Sequence, residues 1–246
     1  MERVLYIVPG VGLSQEEQNR RKKILNTFTN GKFQVDVRAV RDGPASIESY
    51  YDEFLSVPPT VNLAREAEKE GYNAVIIGCF GDPGIEALRE VLHIPVVGPG
   101  EASLYVAAML GHRITIVSIL KNIIEPLRTL TRKLGLIEKL ASVRVIDKPV
   151  LSVGEDPEDT KRALIDAGRA AIQKDGADTL VLGCMSEAFL GFAEDMQKTL
   201  DVPVVNPVAV SVKLAELFLD ARLSHSKRAY PVPPKKLILT STKPSQ

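Results

Sequence analysis

AVIIGCFGDPG (74–84) and TLVLGCMSEAF (179–189) decide how this chain is read. Each is a β-branched apolar run that ends in Gly-Cys and then turns polar. The chain has two cysteines, and both stand in this context, as Cys79 and Cys184. The likeness extends outward. EGYNAVIIGC (70–79) lies over DGADTLVLGC (175–184), HIPVVGP (93–99) over DVPVVNP (201–207), and RVLYIV (3–8) over RITIVS (113–118). Internal similarity of this length marks a duplicated structural unit.

Each half then reads strand, helix, strand ending in Cys, helix, short Pro-Val-Val strand, helix. VLYIV, AVII, PVV, ITIVS and TLVL are continuously apolar, as expected for strands buried on both faces of a parallel sheet. Helical patterns fall at 16–30, 61–70, 84–92, 103–110, 124–134, 159–175 and 208–219. Asp82-Pro83 and Asp156-Pro157 read as helix starts. The alternation predicts an α/β fold of two pseudo-symmetric lobes with parallel sheets and right-handed crossovers. The first lobe is expected at 1–98 plus 207–225, the second at 99–206, and a Pro- and Lys-rich C-terminal tail at 226–246, outside the core.

Composition narrows the function classes. Lys+Arg and Asp+Glu are 31 each, so the formal net charge is zero, which argues against a nucleic-acid or membrane-surface partner. The longest apolar runs, such as LYVAAML (104–110), are too short to cross a bilayer. The opening MERVLYIVPGVG reads as a first strand, not a signal peptide, because Pro9-Gly10 breaks it. Two thiols in such a chain point to the cytoplasm rather than to a disulfide framework. No His/Cys/Asp/Glu group has metal-ligand spacing, and no phosphate-binding glycine motif follows a strand, so neither metal nor cofactor is expected. His93, His112 and His225 are read as structural or exposed.

Ligands of parallel α/β sheets bind beyond the carboxyl ends of the strands. Cys79 and Cys184 both stand at such ends, so pseudo-two-fold packing brings them to opposite sides of one cleft. The backbone N–H groups of the turn after each cysteine are expected to favour thiolate. One thiolate then takes a proton from a carbon acid, and the opposite thiol returns one to the other face. The sulfurs should sit too far apart for a disulfide, with the substrate carbon between them. Ser118, which ends its strand, is a candidate substrate donor, and Phe80 a flat surface for the substrate. Asp82 and Glu101 are read as helix caps, and Tyr50 and Tyr51 as packing the first lobe.

GPASIES (43–49), GCFGDPGIEALRE (78–90), GPGEASLYVAAMLGHRITIVS (98–118), VLGC (181–184) and VPVVNPVAVSVKLAE (202–216) resemble the aspartate/glutamate/hydantoin racemase superfamily, most closely its hydantoin and allantoin racemase branch. The resemblance implies two Rossmann-like lobes with the active site between them, no cofactor, a small-molecule substrate and a homo-oligomer. The family's catalytic cysteine pair corresponds to Cys79 and Cys184. The segments expected to line the pocket contain Pro9, Val11, Gly12, Ser46, Ile47, Phe80, Gly81, Ser118, Met185, Ser186 and Pro207. Two segments depart from the branch. Pro9–Ser14 replaces an Asn-Pro-Asn-Thr-Ser-like segment, leaving backbone N–H donors but no side-chain amide. Met185-Ser186-Glu187 replaces Ala-Gly-Met.

The expected activity is inversion of a small cyclic carbon acid, a 5-substituted hydantoin with a compact apolar arm being preferred to allantoin. An Asp/Glu-type amino-acid racemase, a maleate-type isomerase and a non-catalytic bilobed binding protein are the alternatives. Two thiols argue against a decarboxylase of the same superfamily, which uses one.

Overall fold

The computed structural model describes residues 1–234. The first half runs β1 (Glu2–Val8), α1 (Gln15–Thr27), β2 (Phe33–Ala39), α2 (Tyr50–Lys69), β3 (Ala74–Ile77), α3 (Ile85–Val91), β4 (Val96–Val97) and α4 (Pro99–Leu110). The second runs β5 (Ile114–Ser118), α5 (Ile124–Lys133), β6 (Leu140–Val145), α6 (Pro157–Asp175), β7 (Thr179–Leu182), α7 (Met185–Ala188), α8 (Ala193–Leu200), β8 (Val204–Val205) and α9 (Pro207–Asp220). Two four-stranded parallel sheets result, in the orders β2-β1-β3-β4 and β6-β5-β7-β8. The repeat seen in the sequence is therefore a repeat of topology.

β3 and β7, at inner positions, are wholly buried, which their unbroken apolar sequences require. β2 and β6 had no counterpart in the expected pattern. Both are edge strands, and edges carry polar residues. β2 alternates, FQVDVRA, and Asp36 meets Arg3, Lys22 and the Tyr72 hydroxyl. On β6, Arg144 pairs with Asp175 at 2.7 Å.

α2 begins eleven residues before its expected start at 61, despite Pro58 and Pro59 inside it. A proline lacks the N–H that closes a helical turn. The start is fixed instead by Ser49, whose hydroxyl oxygen accepts the Asp52 N–H while the Asp52 carboxylate accepts the Ser49 hydroxyl and the Glu48 N–H. Tyr50 and Tyr51 do not pack the first lobe. They are 43% and 72% exposed, and the Tyr50 hydroxyl bonds Thr129 of α5.

The helices are exchanged between sheets. α4, from the first half, packs on β7 and β8, whereas α9, from the second, packs on β3 and β4, and the two helices lie against each other. Asp82 is a cap, but of α4: its carboxylate accepts the Gly100 and Glu101 N–H groups at 2.9 and 2.7 Å. The α3 N-cap is Gly84, whose φ of 70° suits a residue without Cβ. Glu101 caps nothing; its carboxylate pairs with buried Arg89.

The expected loose tail is docked at its start. Lys227 donates to the carbonyls of Arg89, Glu90 and Leu92 at the end of α3. His225 Nε2 accepts the Val96 N–H, and burial with nearby Arg89 pushes the imidazole down to about 4. The remainder of the predicted tail, 235–246, lies outside the described residues. Among the described residues no helix is long and apolar enough to cross a membrane.

Candidate active site

Each cysteine follows a glycine that the fold cannot replace. Gly78 N–H donates to the Ile7 carbonyl at 2.7 Å, and Gly183 N–H to the Val117 carbonyl at 2.6 Å. A Cβ on Gly78 would stand 2.4 Å from that Ile7 oxygen, and one on Gly183 2.5 Å from Ile116 Cγ2. The chain can hug the neighbouring strand only without a side chain, and the next residue is thrown out beyond the sheet. That residue is Cys79 on one lobe and Cys184 on the other.

Both thiols line a single cavity of about 90 Å³, and both are free. Of the residues expected at the site, Pro9, Ser46, Ile47, Phe80, Gly81, Met185 and Ser186 line it with them. Phe80 is at the same time a core residue, 2% exposed among Leu104, Leu127 and Val181.

Four expected lining residues are elsewhere. Val11 and Gly12 donate their N–H groups to the Pro44 and Ala45 carbonyls at 2.9 Å, so those two donors of the PGVG loop are spent on holding two loops together. Val11 is 42% exposed, and Gly12 faces an adjoining groove. Ser118 is fully buried and donates to the Gly183 carbonyl at 2.9 Å; it clamps the second glycine turn. Pro207 is buried at the first turn of α9, where its missing N–H costs nothing.

The sequence reading missed two charged residues of the wall, Arg21 of α1 and Glu53 of α2. Arg21 stands within the polar run RRKK, where residue type distinguishes nothing. Its signal is phase: it precedes Leu25 by one turn, and these two form the buried stripe of α1. Most other missed lining residues are apolar, among them Leu13, Ile119, Ile123, Leu127, Val150 and Leu151, with Ser49 a polar exception.

The electrostatics reverse the expectation of depressed thiols. Burial pushes Cys184 up to about 12, and the Glu187 carboxyl pushes the same way; the Glu187 and Ser186 N–H groups and Arg21 pull back. Burial likewise pushes Cys79 up, against the Gly81 N–H, with Cys184, Glu53 and Asp82 adding to the rise. A few N–H dipoles do not offset removal of a thiolate from water. The carboxyls nearby are also shifted. Burial raises Asp82 to about 8, assisted by Glu101, and raises Glu187 well above the carboxylate range. Tyr6 is fully buried beside both thiols and Arg21; burial pushes its hydroxyl up, the two thiols add to the rise, and Arg21 pulls back.

The family model of Asp/Glu/hydantoin racemases matches residues 22–215. A hydantoin racemase of Pseudomonas sp. (strain NS671) is 40% identical over 195 residues, covering 79% of this chain and 78% of its own. One from Rhizobium meliloti is 38% identical over 193 residues, 77% of this chain and 79% of its own. The solved structure of an allantoin racemase from Klebsiella pneumoniae aligns with a TM-score of 0.90 at 27% identity, covering 98% of this chain and 97% of that one.

Proposed function

The chain belongs to the Asp/Glu/hydantoin racemase family, and on that premise we propose that it racemises 5-substituted hydantoins by proton transfer between Cys79 and Cys184. The observation that carries this reading is the pair of free thiols, one from the end of each inner strand, on the wall of one cavity. One enters turnover as thiolate and the other as thiol. The thiolate takes the C5 proton, and the electron pair of the broken C–H bond moves into the ring as an enolate. The opposite thiol protonates C5 on its other face. The two sulfurs then hold exchanged protonation states, ready for the opposite enantiomer. The adjacent ring carbonyl acidifies C5–H, so the step asks nothing of the protein beyond base, acid and charge stabilisation.

The apolar wall formed by Ile47, Ile119, Ile123, Leu127 and Leu151 supports an apolar 5-substituent rather than the ureido arm of allantoin. An arm lying against those five side chains finds no hydrogen-bond partner among them, so its own bonds are left unmade there. The exchange of α4 and α9 supports a first lobe of 1–98 plus 207–225 and a second of 99–206. Free thiols suit a cytoplasmic location, and exposed Tyr51, Phe54 and Met109 suit a homo-oligomer.

The test is incubation of enantiopure 5-alkyl hydantoins, allantoin and L-Asp and L-Glu in D₂O, followed by chiral chromatography and mass. The expected result is racemisation with deuterium at C5 of the alkyl hydantoins. Faster turnover of allantoin would reject the apolar-arm reading, and turnover of the amino acids alone would move the activity to that class.

A further inference from the structure

We infer that Arg21 is a catalytic residue of this site, the cation that binds the enolate oxygen formed when C5 loses its proton. This rests on the carbon-acid reading above. Arg21 is 3% exposed on a helix that is otherwise mostly solvated, and it lines the cavity together with its partner Ser186. Its guanidinium lies 4.7 Å over the Phe189 ring. Nε donates to Glu17 Oε1 at 2.8 Å and Nη2 to Ser186 Oγ at 2.9 Å. Nη1 makes no hydrogen bond among the described residues. Three contacts thus fix the plane of the fork, which also acts on the neighbouring Tyr6 hydroxyl, and leave Nη1 donors unspent.

The charge is also incompletely balanced. Glu17 accepts Arg20 through two nitrogens, at 2.7 and 2.9 Å, as well as Arg21 Nε. One carboxylate serves two guanidiniums, so the trio is net positive on its cavity side. The other charged group on the wall is Glu53, from α2 of the same lobe, and a carboxylate cannot stabilise an oxyanion. Arginine stays protonated at every working pH. A fixed cation beside an apolar cavity interacts more strongly with the enolate than with the neutral substrate, and that differential binding lowers the barrier. No atom is transferred to or from Arg21; the C–H bond breaks, an S–H bond forms, and the charge moves from sulfur to oxygen under the guanidinium.

The test compares wild type with Arg21→Met and Arg21→Lys in two assays. In the first, kcat for an alkyl hydantoin is expected to fall about 10²- to 10³-fold in R21M, the size of losing one oxyanion donor, with R21K between. R21M within threefold of wild type overturns the inference and leaves the proposed activity standing. The second assay needs no turnover: the rate of thiol alkylation by iodoacetate divided by that with iodoacetamide, referred to free cysteine. Wild type is expected to exceed free cysteine by about tenfold or more, and R21M to return to the free-cysteine value. A wild-type ratio at or below free cysteine overturns the inference, even where R21M fails to fold. A wild type that leaves hydantoins unchanged yet keeps the raised ratio rejects the activity and retains Arg21 as the anion-binding residue of the cavity.

Discussion

The two Gly-Cys turns diverge at the acid three residues after each thiol. Asp82 reaches away from Cys79 and caps α4, so both its oxygens are satisfied by backbone N–H groups of a helix that serves the other sheet. Glu187 turns back: its Oε1 accepts the Cys184 N–H at 3.1 Å, and its Oε2 is buried without a partner among the described residues. α9, the counterpart of α4, is capped by its own Asn206, whose Oδ1 accepts the Val208 N–H at 2.9 Å. One acid has become a structural stitch and the other a companion of the thiol. Cys184 also takes two N–H groups and the field of Arg21, against one N–H for Cys79. Symmetry of fold has been kept while the surroundings of the thiols have not.

The largest effect should come from removing either thiol. Cys79→Ser and Cys184→Ser should each lower racemisation by about 10³-fold or more, near the upper range for a lost general base. Each should still exchange C5 hydrogen of one enantiomer in D₂O, and the two variants should favour opposite ones. Loss of exchange for both enantiomers in both variants would break the assignment of one thiol to each face.

Next comes the pH profile. Thiols pushed up by burial are scarce as thiolate at neutral pH, so kcat/KM should climb between about pH 6 and 9 by up to about tenfold per unit. Glu187→Gln removes a carboxyl that holds Cys184 up, so the climb should begin at lower pH; Asp82→Asn should shift it less. Equal shifts would erase the distinction between the two acids.

Stability should separate the acids the other way. Asp82→Ala loses a cap for two N–H groups, and about 2 kcal/mol is expected by urea denaturation. Asp82 is raised in the fold to about 8 from 3.8. Its contribution is therefore complete below about pH 4 and is lost as pH rises through 8, and Asp82→Asn should flatten that decline, by about 1.4 kcal/mol per pH unit at most. A stability curve unchanged by D82N would show that the carboxyl is ionised throughout.

The smallest effect belongs to Ser118, which lies over Val8 in the repeat. Ser118→Ala should cost about 1 kcal/mol through the unmade bond to the Gly183 carbonyl. A large fall in kcat with binding intact would instead return Ser118 to the substrate.

What was legible in the sequence followed from burial on two faces. The inner strands have no choice but unbroken apolar runs, so AVII and TLVL announced both sheets and the thiols at their ends. Edge strands β2 and β6 mix charge into their alternation and read as nothing in particular. Turn residues beside the thiols were found because sequence neighbours remain neighbours. Arg21 is marked only by its helical phase with Leu25, and the wall from 119 to 151 reaches the cavity through tertiary packing, which no local pattern encodes. Ser118 misled because a strand-end hydroxyl can face the ligand or its own neighbouring turn with the same sequence.

The exchange of α4 and α9 has a consequence for how the molecule is assembled. Each sheet is roofed by a helix synthesised with the other half, so a ribosome that has finished residue 111 has made a first sheet still lacking its cover and a helix with nothing to cover. Cut near Gly111–His112, the chain should yield two pieces that are soluble together and sticky apart, and that recover one intertwined body when mixed.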